Sequence, residues 1–108
     1  MLAPIITENL IQVQNICKTH YVKELYVFGS ASRNEMNEES DVDFLYTMQE
    51  NTPEKEYADI FFDMLWSFEA LLGKKVEMVP EKYLRNRIFI EEVKSTKQII
   101  YKAWQNKS

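Results

Sequence analysis

The stretch LYVFGSASRNEMNEESDVDFLY, residues 25–46, decides how this chain folds. Leu25-Tyr26-Val27-Phe28 is a run of β-forming residues stopped by Gly29, which predicts a buried strand ending in a tight turn. Twelve positions after Gly29, Asp41-Val42-Asp43 opens a second apolar run, Phe44-Leu45-Tyr46, predicting another strand with two acids at its entrance. Aspartates at i and i+2 of a strand point the same way, roughly 6 to 7 Å apart along the chain. Their oxygens can share hard divalent cations, and Mg²⁺ is the natural occupant. A glycine lets the backbone approach a phosphate, and the amides of a helical turn, expected between Ser30 and Met36, favour an anion. Ser30 adds a hydroxyl and Arg33 a forked donor; the alternative for Arg33 is a surface ion pair with Glu38 or Glu39. An acidic pole facing a phosphate-binding pole suits transfer of a phosphate-linked group. Two ions roughly 3.5 to 4 Å apart would clamp the attacking and leaving oxygens.

Outward from this centre the chain alternates helices and strands. Thr7 is positioned to cap a helix running to about Thr19, with Leu10, Val13, Ile16 and Cys17 on its apolar face. After the breaker Asn51-Thr52-Pro53, residues from about Glu54 to Leu72 form the strongest helical pattern, and Gly73 ends it. Tyr57, Ile60, Phe61, Met64, Leu65, Phe68, Leu71 and Leu72 make the stripe of a helix packed on a sheet. Val76 to Val79 reads as a third strand stopped by Pro80, Glu81 to about Lys94 as a helix with Leu84, Ile88 and Val93 inward, and Gln98 to Tyr101 as a last strand. The expected fold is α/β (α+β): one domain, residues 1–108, with a small mixed sheet of about four strands and helices packed on it. Glu77, alone on an apolar strand where a buried acid is costly unless paired or metal-bound, is the candidate third carboxylate.

Composition narrows the function. Of 108 residues, 45% are apolar, with two glycines and three prolines, as in a globular chain with a real core. The longest apolar runs, such as Ile60-Phe61-Phe62, fall far short of the roughly 18 to 20 residues of a membrane helix. Met1-Leu2-Ala3-Pro4 has no basic lead into an apolar stretch, so a cytoplasmic location is expected. Cys17 has no disulfide partner, and with His20 as the sole histidine no zinc cage of Cys and His is available; any metal must sit on carboxylates. The net charge of −4 argues against a general attraction to nucleic acid. The distribution is uneven: residues 35–54 hold seven acids and no base, whereas residues 81–108 hold seven bases and three acids, Lys82, Arg85 and Arg87 among the former.

The string Phe28-Gly29-Ser30-Ala31-Ser32-Arg33, followed by Glu39-Ser40-Asp41-Val42-Asp43-Phe44-Leu45, resembles the signature of the DNA polymerase beta-like nucleotidyltransferases, in particular the small minimal nucleotidyltransferase (MNT) domains. The resemblance implies that Gly29 and Ser30 hold a nucleoside triphosphate, ATP by family habit. It implies that Asp41 and Asp43 bind two Mg²⁺ ions, with Mn²⁺ an alternative, and that Glu77 stands where a third acid, usually aspartate, binds metal and activates an acceptor hydroxyl. Asn34 departs from the glycine common at that position, and Glu77 is one methylene longer than aspartate. Such domains resemble the antitoxin halves of modules whose toxin is a HEPN-type ribonuclease, some of which receive AMP on a tyrosine. The expected partner is therefore a HEPN-type protein or a second copy completing the cleft. Two other functions share the fold: a nucleotide-binding antitoxin that neutralises by covering its partner, and a nucleic-acid-modifying transferase using the basic carboxyl end. Phe62 and Trp66, one turn apart and opposite the apolar stripe, form a candidate interface unless the segment around Trp104 covers them.

Overall fold

Two apolar runs, residues 22–28 and 42–48, pair antiparallel at the centre of a four-stranded sheet in the computed structural model of the chain, which describes residues 2–103. The elements follow as α1 (Pro4–Thr7), α2 (Leu10–Thr19), β1 (Val22–Phe28), β2 (Val42–Met48), α3 (Tyr57–Leu72), β3 (Val76–Pro80), α4 (Arg87–Thr96) and β4 (Gln98–Lys102). The sheet order is β3-β2-β1-β4; β1 runs antiparallel to both β2 and β4, and β2 runs parallel to β3. A parallel pair needs a crossover, which α3 supplies. The mixed sheet with packed helices is the architecture expected.

Alternation along the strands divides the interior. Val42, Phe44 and Tyr46 join Leu25, Val27, Val76 and Ile100 in the main core with α2 and α3, where Met64 and Phe68 are fully buried. The rings of Phe44 and Phe68 lie 5.0 Å apart, and burying each stabilises by about 1.5–3 kcal/mol. On the other face, Phe28, Leu45 and Val93 make a smaller core with Phe89 of α4, whose ring meets Phe28 edge-on. Asp43 lies between Val42 and Phe44, so it is turned to this second, less covered face. Cys17 is buried in the main core, and His20 ends α2, its ring against the Ile16 carbonyl and Asp63 of α3.

Four local expectations change. Thr7 does not cap the first long helix: Pro4 starts a separate short one, and the Thr7 hydroxyl donates back to the Pro4 carbonyl at 3.2 Å. The helical turn expected between Ser30 and Met36 is a 3-10 turn that starts one residue earlier and ends sooner, Gly29–Ser32. Residues Glu54–Glu56 are likewise a 3-10 turn before α3. The helix expected from Glu81 breaks after the 3-10 turn Glu81–Tyr83 and restarts at Arg87, because Asn86 caps α4 by accepting from the Phe89 amide at 3.1 Å. That start turns Phe89 and Val93 inward and leaves Ile88 81% exposed.

Phe62 and Trp66 are exposed on α3, 45% and 63%, with ring centroids 5.6 Å apart; Trp104 lies outside the described residues. In a Trp104→Phe variant the emission of Trp66 should be that of a water-exposed indole, shifting to the blue when a protein partner binds. Emission already blue-shifted in the free protein would show the patch to be covered. Among the described residues, no helix is long and apolar enough to cross a membrane.

Candidate active site

The site forms where β1 ends and β2 begins. Phe28 is the register partner of Asp43, and Asp43 is in turn the register partner of Glu77 across the parallel β2–β3 pair. Neighbouring strands stand about 4.8 Å apart, so the two carboxylates share one patch of the sheet face. Asp41 sits just before β2 and is exposed; Asp43 is half-buried. Glu77 is exposed, so the expectation that burial forces it to find a partner does not hold. What brings it to the site is register, since the strand's alternation sends Val76 and Met78 to the main core and Glu77 to the opposite face.

Gly29 is required twice over. Its φ of +69° is a left-handed conformation that L side chains rarely adopt, and a Cβ there would stand 2.8 Å from Oδ2 of Asp43. The turn that follows is held from several sides. The Ser32 hydroxyl donates to the Gly29 carbonyl at 2.7 Å, the Gly29 amide donates to Oγ1 of Thr96 at 3.3 Å, and the Ala3 amide donates to the Ala31 carbonyl at 2.8 Å. The side-chain amide of Gln98 donates to the Ser32 carbonyl. With the Gly29 amide engaged by Thr96 and only a 3-10 turn following, fewer helix amides are free to meet an anion than the sequence suggests. The half-buried Ser30 remains at the turn. Arg33 is exposed and its Nε lies 3.4 Å from Glu35, in place of the surface partners Glu38 or Glu39. Asn34 has a φ of +57°, which explains how it fills a position suited to glycine.

Asp43 is pushed up to about 6, first by burial, then by the carboxylates of Glu77, Asp41 and Glu92. These carboxylates offer only oxygen atoms, the kind of donor a hard divalent cation takes. Among the described residues, no three Asp, Glu, His or Cys side chains are grouped closely enough to hold a metal ion by themselves. Two surface concavities, of about 370 and 440 Å³, are lined by other residues and include none of Asp41, Asp43 and Glu77.

The chain has relatives among known proteins. The family described as "Nucleotidyltransferase domain" matches residues 10–103, most of the chain. The chain belongs to that nucleotidyltransferase family. Two Methanocaldococcus jannaschii proteins that carry the name of protein adenylyltransferases are similar to this nucleotidyltransferase. One is 33% identical over 84 residues, 75% of this chain and 80% of the relative; the other is 39% identical over 74 residues, 68% and 71%. The fold is that of the MNT antitoxin in the solved complex with a tri-AMPylated HEPN toxin from Shewanella oneidensis. There the TM-score is 0.61 at 12% identity, over 90% of this chain and 72% of the other.

Sequence reasoning missed three residues of this nucleotidyltransferase that border the site. Thr96 and Glu92, one helical turn apart on α4, reach the Gly29 amide and the surroundings of Asp43; with α4 expected to stop at Lys94, neither stood out. Lys74 is the third, in the link between α3 and β3. Its signal was a base just past the helix stop Gly73, placed to meet a loop rich in acids.

Proposed function

We propose that this nucleotidyltransferase moves AMP from ATP to a hydroxyl of a protein partner, a tyrosine of a HEPN-type toxin, and so serves as its antitoxin. The observation that carries the reading is the register that sets Asp43 beside Glu77, with the Gly29 turn packed against Asp43. The names of the two Methanocaldococcus relatives and the AMP-modified toxin of the Shewanella complex support the adenylyl group and the partner.

Asp41, Asp43 and Glu77 would hold Mg²⁺, two ions by family resemblance, with Mn²⁺ as a substitute. When bound, the metal neutralises phosphate charge and makes the acceptor hydroxyl more acidic. Gly29 and Ser30 seat the triphosphate, and Arg33, exposed at the end of the same turn, is the forked donor to its oxygens. Glu77, exposed on its strand, takes the acceptor proton as the hydroxyl oxygen bonds to the α-phosphorus. The bond from that phosphorus to the bridging oxygen breaks, and pyrophosphate leaves. Asp41 and Glu77 stand exposed, so the acceptor is left to be positioned by the partner, for which Phe62 and Trp66 provide an apolar surface.

The test is incubation with Mg²⁺, a HEPN-type protein and ATP labelled at the α-phosphate. Label should appear on a partner tyrosine, and ATP labelled at the γ-phosphate should leave the partner unlabelled. If the partner is bound and neutralised with no α-label transferred, neutralisation by covering replaces transfer.

A further inference from the structure

Between Asn34 and Asp41 the chain carries three glutamates and no base, and it must nevertheless hold one conformation if Asp41 is to stand near Asp43. The loop makes small turns of its own: the Asn37 amide donates to the Ser40 hydroxyl at 2.9 Å, and the Glu39 amide to Oδ1 of Asn37 at 2.8 Å. A second tie comes from outside. Gly73 closes α3 with a φ of +65°, and the next residue, Lys74, sends its Nζ to three carbonyls of the loop: Asn37 at 3.1 Å, Ser40 at 3.2 Å and Glu38 at 3.3 Å. Three donors on one ammonium meet three acceptors. Immediately beyond, the Val42 amide donates to the Lys75 carbonyl at 3.0 Å, so the residues on both sides of Asp41 are fastened to the link between α3 and β3.

We propose that Lys74 is a positioning residue for the active site: its ammonium group, seated on the carbonyls of Asn37, Glu38 and Ser40, holds the acidic loop so that Asp41 is presented beside Asp43. The proposal deepens the reading of Asp41 as a metal ligand and rests on it. Lys74 touches neither nucleotide nor acceptor in this account. Charge and position make opposite predictions here. Removing a positive charge near a cation site would by Coulomb's law tighten cation binding. Loosening the loop would weaken it, as loss of groups that orient metal ligands does by about 10- to 100-fold.

The experiment compares the native chain with Lys74→Met and Lys74→Arg. Mn²⁺ titration followed by electron paramagnetic resonance gives metal affinity, and hydrogen exchange in metal-free protein gives the protection of the Asn37, Glu39, Ser40 and Val42 amides. Lys74→Met should weaken Mn²⁺ binding by about 10-fold or more, while Lys74→Arg restores most of it. The four amides should lose protection in Lys74→Met while the β1 and β2 amides keep theirs. Tighter or unchanged Mn²⁺ binding in Lys74→Met, or unchanged exchange in the loop, would overturn the proposal. A native chain that takes no Mn²⁺ would overturn the metal site itself, and the exchange data would still decide whether Lys74 holds the loop.

Discussion

Asp43→Asn should cost at least about 10³-fold in nucleotidyl transfer, the equivalent of several kcal/mol of lost phosphate-charge stabilisation, and yet stabilise the metal-free protein at pH 7.5. The two effects share one cause. Burial, and then the neighbouring Glu77, raise the Asp43 carboxyl to about 6, against about 3.9 in an unfolded chain. Between about pH 4 and pH 6 the folded state binds the extra proton, so stability falls as pH rises through that window, and above it the full penalty of the charge remains. Asparagine has no charge to desolvate and its amide can donate to Glu77. Melting curves of metal-free native and variant protein from pH 4 to 8 should therefore diverge with rising pH, the variant melting higher. Mg²⁺ should raise the native melting temperature and leave the variant nearly unmoved. A variant that melts lower than the native chain at pH 7.5 would show that the charge is already compensated.

Gly29→Ala should damage both stability and transfer, and Gly73→Ala stability alone. Each glycine is left-handed, at +69° and +65°, so each alanine carries a backbone cost of about 1–2 kcal/mol. They differ in what the new methyl meets. At Gly73 nothing lies within 4 Å, whereas at Gly29 it would press on Oδ2 of Asp43 at 2.8 Å. The carboxylate or the turn must shift, and displacement of about 1 Å in a reacting group costs on the order of 10²-fold in rate. Melting temperatures should fall in both variants, while kcat/KM should fall by about 10²-fold only in Gly29→Ala. Equal losses of activity would mean that folding, not the placement of Asp43, limits both.

The residues that carry the fold were legible because their patterns are local. Gly29 after four β-formers, the stripe from Tyr57 to Leu72 and its stop at Gly73 each state a structure within a few residues, and each element is there. Helix starts were less so. Thr7 and the break before Arg87 are decided by competition between a side chain and its own backbone, in which Pro4 and Asn86 prevailed. At the site, the facing of Asp43 followed from alternation, but its pairing with Glu77 is a fact of strand order, and burial was the wrong argument for it. Lys74 and Thr96 act across 34 or more positions of chain, which no spacing rule brings together.

The most direct measurement is calorimetric titration of a nonhydrolysable ATP analogue into the native chain and into Asp41→Asn and Asp43→Asn, with Mg²⁺ and with a chelator. Binding is expected in the native chain, requiring Mg²⁺, and is expected to be lost in both variants. Binding that persists with chelator, or that survives in Asp43→Asn, would contradict a metal-dependent nucleotidyl-transfer site at the mouth of β2.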